Sequence, residues 1–237
     1  GKEGIYYDFL WNRQKGAFED FDKYKLNDTV SIGNTTQKMF ELNEIKKSEN
    51  PRKFLSPNRI YTDILNDRIY KRIALQYILQ NENGYVNDPE RGNIFESQEK
   101  MFCEGVGFEG FSPIHNKYYE SSFVSIYVET LTYLGENHMK SITEKTWNPL
   151  IKGHFILPYG YNGLIEDIKS YGFKLPDWLD YSYDNIENNI ERFDMYIISI
   201  RKFLEYSIED LKHLFIRDKH ILEYNRNLFF EKPFDKL

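Results

Sequence analysis

The stretch that decides the fold is SITEKTWNPLIKGHFILPYG, Ser141–Gly160. It joins a helix signature to a strand signature. Ser141 and Glu144 have the spacing of a capping box at a helix start. Gly153 fits the left-handed residue that follows many helices. The apolar run HFILP (154–158) comes next, so the sequence predicts a helix that leads directly into a buried strand.

The flanking segments extend this pattern in both directions. SSFVSIYVET (121–130) is a nearly continuous apolar run, as expected for a strand that is buried on both faces of a parallel sheet. NGLIEDIKSYG (162–172) is predicted to be a short helix, and FKLPDW (173–178) a last short strand. Residues 121–180 would then form a βαβαβ half of a doubly wound fold.

The remaining segments complete the predicted fold class, which is α/β with a Rossmann-like parallel sheet flanked by helices and a helical C-terminus. Periodic apolar positions predict three further helices, at 66–84, 185–206 and 207–230. A helix is also predicted over 34–50, and strands over 52–59 and near 85–87. We expect an N-terminal segment, 1–50, that contributes to an acceptor side, and a nucleotide-sugar-binding domain, 51–237.

Composition excludes several classes of protein. The chain of 237 residues has a net charge of −6 and gathers no long basic run, which disfavours nucleic acid as a partner. Its one cysteine, Cys103, rules out an internal disulfide and fits a reducing compartment. No apolar run approaches the roughly 20 residues that span a bilayer, so a cytoplasmic protein without a transmembrane segment is expected.

Strand direction places several polar residues close together. The loops that follow strands 121–130 and 154–158 lie at the carboxyl edge of a parallel sheet, where ligands bind in doubly wound folds. We therefore expect Glu129, Glu144, Lys145 and residues 159–161 to share one crevice.

The residues around this crevice carry a resemblance. YVET followed by ITEKTWNPLIKGHFILPYGYNGLIEDIKSYGF and by DYSYD resembles the nucleotide-sugar half of some viral and bacterial glycosyltransferase-like proteins. The Thr-Glu-Lys turn is similar to that of α-1,3-fucosyltransferases, where it opens a helix beneath the donor nucleotide. RKFLSPNRIYTDILNDR (52–68) resembles the segment that precedes this motif. The resemblance implies a GT-B-like fold, a nucleotide-sugar donor held by the C-terminal half, and no bound metal or other cofactor.

The resemblance and the side-chain chemistry together define candidate substrate-binding residues. Lys145 at a helix start can receive the charge of the leaving diphosphate, and a carboxylate at Glu144 can accept two hydrogen bonds from a ribose diol. Thr143 can cap the helix or contact phosphate. Guanidinium groups bind phosphate in a bidentate manner, which adds the candidates Arg59 and Arg68. The glycine-bearing loop adds the candidates Tyr159, Gly160 and Tyr161, although aromatic residues more often pack in a core.

An inverting transfer also needs a general base for the acceptor hydroxyl. The candidates are Asp8, Glu129 and Asp184. Glu129, at the end of a buried strand, either meets a helix N-terminus or faces the crevice. Asp184 is also expected to cap the helix after it.

The sequence thus predicts a metal-independent glycosyltransferase, or its donor-binding domain, acting on a nucleotide sugar and a glycan-type acceptor. One alternative is a non-catalytic nucleotide- or sugar-binding or assembly module with the same fold. Another is a metal-dependent transferase, because DFD (20–22) matches an Asp-x-Asp motif. We interpret that match as chance, since no buried strand precedes it.

Overall fold

The structure is a computed structural model. It describes residues 44–58, 67–88, 92–93, 114, 116–129, 132 and 142–231. All structural statements below concern these residues.

A five-stranded sheet forms the centre of the protein, in the order β3-β2-β1-β4-β5. Four of these strands are mutually parallel, and the short β3 pairs antiparallel to β2 at the edge. The strands are β1 Arg52–Ser56, β2 Gly84–Asp88, β3 Gly92–Asn93, β4 Ser122–Val128 and β5 Phe155–Tyr159. The predicted α/β class is confirmed, and the sheet is consistent with a Rossmann-like fold.

β4 lies at the centre of this arrangement because its sequence can be buried on both faces. Every residue of the strand is buried. Val124 pairs with Phe54 of β1 on one side and with Phe155 of β5 on the other. A strand with two parallel neighbours and helices on both faces has no solvent-facing position, which explains the continuous apolar run.

Helices cover the sheet in two layers. They are α1 Asp67–Leu79, α2 Asn116–Glu120, α3 Glu144–Lys152, α4 Leu164–Ser170, α5 Asn189–Leu204 and α6 Ile208–Glu231, with a 3-10 turn at Ser182–Asn185. α1, α5 and most of α6 pack in one core cluster with Phe54, Val124 and Leu157. α3, α4 and the end of α6 pack in a second cluster with Tyr127 and Ile156 on the opposite face.

The predicted strand at 173–178 is wrong. This segment contains no strand, so the sheet is completed by β1 and β2 and not by a fifth element after α4. The Lys174 backbone N–H donates to the Asn225 Oδ1 atom at 2.8 Å, and Asn225 Nδ2 donates to the Lys174 carbonyl at 2.7 Å. An asparagine of α6 therefore satisfies the backbone groups that a neighbouring strand would have paired.

The ends of α3 show one correction and one confirmation. Thr143, and not Ser141, is the N-cap residue, and its hydroxyl accepts from the Lys145 backbone N–H. Gly153 ends the helix in the left-handed conformation with a φ of 71°, as predicted. Pro149 stays inside the helix.

The predicted helix over 34–50 is wrong over its last residues. Residues 44–50 form an irregular segment, and residues 34–43 lie outside the described ranges. Ile45 is buried in the first core cluster, and the Ser48 N–H donates to the Glu120 carbonyl at 2.8 Å. The segment is thereby fixed to the amino edge of the sheet.

No helix in the described ranges is both long enough and apolar enough to cross a membrane.

Candidate functional site

The carboxyl edge of the sheet contains a topological switch point between β1 and β4. From β1 the chain continues to β2 on one side, and from β4 it continues to β5 on the other. In open parallel sheets, ligands bind in the crevice beyond such a point. α1 follows β1 and α3 follows β4, so the N-termini of both helices lie at this edge. The carboxyl edge is the candidate site.

Glu129, the first residue after β4, is fully buried. Its carboxylate accepts the Thr143 N–H at 3.1 Å, the Thr143 hydroxyl at 2.5 Å and the Thr146 hydroxyl at 2.7 Å. A carboxylate at a helix N-terminus is stabilised by unpaired backbone N–H groups and by the helix dipole. The sequence predicted that Glu129 either meets a helix N-terminus or faces the crevice. In the structure it meets the N-terminus of α3.

Lys145 lies beside this carboxylate on the first turn of α3. Its ammonium group is 3.3 Å from the Thr143 hydroxyl oxygen, and the residue is partly buried. Glu144 is the first residue of α3, but its side chain lies outside the described part of the structure. The structure thus brings Glu129, Thr143 and Lys145 together at the carboxyl edge.

Two buried side chains that the sequence analysis missed bind the last residue of β4. Asn58 Oδ1 accepts the Val128 N–H at 2.8 Å, and the Arg72 guanidinium donates to the Val128 carbonyl at 2.9 Å. Asn58 directly follows Pro57 at the end of β1. Arg72 occupies a position on the buried face of α1, between Ile69 and Leu75. A charged residue within an apolar helical face was the available sequence signal.

Two cations flank the aromatic ring of Tyr159, the last residue of β5. The Lys71 ammonium lies 5.6 Å from the ring centroid and the Arg192 guanidinium 5.5 Å. Lys71, Arg192 and Tyr159 are all buried. The Tyr159 hydroxyl donates to Asn189, whose carbonyl is 2.8 Å away. Burial raises the pKa of Tyr159, so the phenol stays protonated and contributes its ring and one donor.

Asp67, the first residue of α1, links these groups. Its carboxylate pairs with Lys71 and accepts the Thr132 hydroxyl at 2.8 Å and the Asn189 amide at 3.1 Å. Burial alone would raise the pKa of Asp67, but the hydrogen bonds from these three residues lower it. The charge of Asp67 therefore holds Lys71 and α5 at the edge.

Two arginines at this edge have a buried Nε atom without a hydrogen-bond partner in the described structure. Arg192 uses its terminal nitrogens for the carbonyls of Ile186 and Thr132, both at 2.6 Å, while its Nε atom is unpaired. Arg68 is partly buried one turn before Arg72, and its Nε atom is also unpaired. A guanidinium presents five N–H donors, and in each of these two arginines the Nε donor is enclosed by protein and not open to a ligand.

Asp184 lies in the 3-10 turn and is buried. Its carboxylate accepts the backbone N–H groups of Ile165 at 2.9 Å and Glu166 at 3.4 Å. Asp184 therefore caps α4, which precedes it, and not the following helix α5, whose cap is Asn188. Burial raises the pKa of Asp184 to about 6, although the two backbone hydrogen bonds oppose the rise.

Gly160 and Tyr161 follow β5 and are both buried. The Tyr161 ring belongs to the second core cluster, and its hydroxyl donates to the Asp167 carboxylate at 2.7 Å. Burial raises the pKa of Tyr161. The rings of Tyr159 and Tyr161 thus lie in the core clusters on opposite faces of the sheet.

Several candidates cannot be placed at the site. Asp8 and Arg59, like Asp20 and Asp22 of the Asp-x-Asp match, lie outside the described residues. Within the described ranges, no group of three or more His, Cys, Asp or Glu side chains could hold a metal ion.

Comparisons with protein-family models, with curated proteins and with solved structures give no match to the chain.

The described carboxyl edge carries charges of both signs. Among its carboxylates, Asp67, Glu129, Asp167 and Asp184 are each hydrogen-bonded to a cation, a hydroxyl or a backbone N–H group. Its cationic side chains are Arg68, Lys71, Arg72, Lys145 and Arg192. Guanidinium and ammonium groups beside helix N-termini are the groups that bind phosphates in proteins.

Proposed function

We propose that the carboxyl edge binds the diphosphate of a nucleotide-sugar donor, and that the chain is a metal-independent glycosyltransferase or the donor-binding domain of one. One observation carries this proposal, namely the position of Lys145 and Arg68 in the first turns of two helices at the switch point of a parallel sheet. The GT-B-like resemblance of the Thr-Glu-Lys segment supports the choice of a nucleotide sugar among the phosphate-bearing ligands.

Lys145 and Arg68 are the proposed phosphate contacts. Both are partly buried, so each can meet a ligand at a position shielded from bulk water. Electrostatic attraction is stronger at such a position than in water. Glu129 already accepts the Thr143 N–H. A diphosphate would therefore bind beside the helix start, against the Lys145 ammonium, and not on the N-terminal amide itself.

The other cations have a supporting role in this proposal. Arg72 and Arg192 donate to backbone carbonyls, and Lys71 pairs with Asp67. They hold the strand ends and α5 in position and contribute a positive potential. Glu144 is proposed to bind the ribose diol, and the buried rings of Tyr159 and Tyr161 to shape the floor of the site.

A specific observation favours the alternative, a non-catalytic nucleotide- or sugar-binding module. Glu129 and Asp184 are two of the three general-base candidates, and each uses its carboxylate to accept backbone N–H groups at a helix N-terminus. Both carboxylates are buried, so in this arrangement neither is open to an acceptor hydroxyl. Donor binding does not require a base, whereas sugar transfer does.

Thermal unfolding with GDP, UDP, ADP or CDP tests binding. A ligand at ten times its Kd stabilises the folded state by about 1.4 kcal/mol, so one of the four nucleotides should raise Tm clearly. Lys145→Met and Arg68→Met should reduce the increase. The matched control is Arg201→Met, because Arg201 is exposed on α5 and its removal should leave the increase intact. The absence of a shift with all four nucleotides would contradict the proposal.

A second experiment separates transfer from binding alone. The protein is incubated with the sugar derivative of whichever nucleotide binds, and release of the nucleoside diphosphate is measured with and without a chelator. A metal-independent transferase releases it at the same rate in both cases, and Glu129→Gln slows the release. The non-catalytic module binds the same nucleotide sugar but releases nothing.

A further inference from the structure

β5 is the last strand on its side of the described sheet, and β4 is its neighbour there. The Glu129 N–H donates to the Tyr159 carbonyl at 2.7 Å, so the backbone groups of Tyr159 face β4. In a parallel strand, successive residues direct their backbone groups to alternate sides. The backbone groups of Ile156 and Pro158 therefore face away from β4, at the outer edge of β5.

Two tyrosine hydroxyls bind the outward carbonyls of β5. Tyr181 donates to the Ile156 carbonyl at 2.9 Å, and Tyr183 donates to the Pro158 carbonyl at 2.5 Å. Proline has no backbone N–H, so Pro158 presents no donor to a further strand. Side chains thus occupy two acceptors of the outer edge, and one backbone donor of a regular strand is absent.

The two tyrosines belong to residues 178–184, here named the edge strap. Tyr181 packs against both core clusters, which lie on opposite faces of the sheet. On one face, the Trp178 indole N–H donates to the Asp218 carboxylate of α6 at 3.1 Å. On the other face, Asp184 caps α4. The edge strap therefore passes from one helical layer to the other across the outer edge of β5.

Charged side chains flank the edge strap on both faces. Lys202 of α5 is exposed, and its ammonium lies 2.6 Å from the Asp180 carboxylate. Lys169 of α4 is also exposed, and its ammonium lies 5.9 Å from the Tyr181 ring centroid. Lysines and prolines at an edge strand, together with a covering loop, are features by which natural proteins prevent pairing between sheet edges.

We propose that the edge strap closes β5 against a second copy of this chain, and that two copies would pair through β5 without it. Every residue of β5 is buried, and the strand is FILPY, so an uncovered β5 would present an apolar edge. Ile156 directs both its N–H and its carbonyl outward. In an antiparallel pair, two opposite residues exchange both hydrogen bonds, so Ile156 of each copy would bind Ile156 of the other about a two-fold axis.

Removal of the Tyr181 side chain tests the edge strap. Tyr181→Ala uncovers the Ile156 carbonyl. In light scattering of the full chain, the average mass of this variant should increase with concentration to about twice that of the unsubstituted protein at the same concentration. Tyr206→Ala is the matched control, because Tyr206 is also a partly buried tyrosine beside the first core cluster, but its hydroxyl donates to the Trp178 carbonyl and not to β5. This control should have the mass of the unsubstituted protein.

Hydrogen exchange locates the contact between copies. In Tyr181→Ala, the Ile156 N–H should exchange more slowly as the protein concentration increases, because the carbonyl of the second copy accepts it. In Tyr206→Ala, its exchange should not depend on concentration.

A second variant keeps the proposal open to refutation if Tyr181→Ala does not fold. Tyr181→Leu retains apolar packing and removes the same hydroxyl, so the same increase in mass and the same slower exchange are expected. A folded Tyr181 variant of unchanged mass, an equal increase in Tyr206→Ala, or exchange of the Ile156 N–H that does not depend on concentration would overturn the proposal.

Discussion

The two ends of the parallel sheet hold their basic side chains in different ways. At the carboxyl end, Arg72 and Arg192 donate to backbone carbonyls of Val128 and Thr132. At the amino end, Lys47 has one carbonyl and two aromatic rings, and His154 lies between Ser122 and Ser125. Burial lowers the pKa values of both amino-end groups.

The direction of the strands explains this difference. A parallel strand ends in carbonyl groups at one edge and begins with N–H groups at the other. Carbonyl oxygens can receive the donors of a guanidinium, which remains charged in proteins, so arginine is suited to the carboxyl edge. At the amino edge fewer acceptors are available and a buried basic group tends to lose its proton. Strand direction therefore accounts for charged arginines at the carboxyl edge and for basic groups of lowered pKa at the amino edge.

Arg72→Met should have the largest effect on stability and therefore tests the comparison first. The change removes the donors to the Val128 carbonyl at the switch point and leaves a buried acceptor beside an apolar side chain. Hydrogen bonds from charged groups contribute about 1.5–3 kcal/mol, so the free energy of unfolding should decrease by about 3 kcal/mol in denaturant titrations. Arg201→Met, at an exposed position of α5, should change it by less than about 0.5 kcal/mol. Equal effects would contradict a structural role for the buried arginine.

Glu129→Ala should have the next largest effect. It removes the acceptor for the Thr143 N–H and for the hydroxyls of Thr143 and Thr146, which leaves buried donors unsatisfied at the start of α3. The expected loss is about 2–3 kcal/mol, measured by chemical denaturation. Glu205→Ala, at the exposed end of α5, is the matched control. A loss no greater than that of the control would show that Glu129 does not hold α3 in place.

A pair of glycine substitutions sharpens the description of the amino edge. Gly153 and Gly163 both have a positive φ, 71° and 85°. A Cβ atom at Gly153 would lie 2.5 Å from the Ile45 Cδ1 atom, whereas a Cβ at Gly163 would meet nothing within 4 Å. Both alanine variants should lose about 1 kcal/mol from left-handed strain. Gly153→Ala should lose about 1 kcal/mol more through the contact with the 44–50 segment.

The control in that pair is internal, since Gly163→Ala carries the backbone strain alone. Thermal or denaturant unfolding of the two variants gives the difference directly. If Gly163→Ala were as destabilised as Gly153→Ala, the packing of Ile45 against Gly153 would contribute nothing to the free energy of unfolding.

The smallest expected effect is a change in pH dependence with Asp184→Asn. The folded-state pKa of Asp184 is about 6, which is above the value of about 3.9 for a free aspartate. The folded state therefore binds the proton more tightly, and this contribution to stability is complete below about pH 4 and is lost as pH rises through 6. Asparagine does not titrate, and its side-chain oxygen can still accept the Ile165 N–H.

Asp184→Asn should therefore make stability flatter between pH 4 and 6, with a gain relative to the unsubstituted protein of about 1 kcal/mol at pH 7. Denaturant titrations at several pH values measure it. A variant with an unchanged pH slope would show that Asp184 is an ordinary carboxylate.

Much of the fold could be predicted from the sequence because its signals are local. The apolar run of β4, the glycine after α3 and the periodicity of α1, α5 and α6 are each contained within one segment. The position of Glu129 and Lys145 at one edge followed from strand direction alone. These predictions needed only the chain order of strands and helices.

The features that the sequence did not predict depend on contacts between residues that are distant in the chain. Segment 173–178 has strand-like composition, but Asn225, some 50 residues later, takes its backbone hydrogen bonds. Asn58 and Arg72 meet Val128 from separate elements, 70 and 56 residues away. Lys47 is near Tyr119, Phe123 and Phe215, which belong to three separate elements. No local pattern contains this information.

A crystal structure of the protein with a bound nucleoside diphosphate tests the central claim most directly. We expect the diphosphate at the carboxyl edge, with its oxygens within hydrogen-bonding distance of Lys145 or Arg68. Crystals soaked with GDP, UDP, ADP and CDP in turn would also identify the base. A diphosphate bound elsewhere on the protein, or an empty carboxyl edge with all four nucleotides at millimolar concentration, would contradict the account.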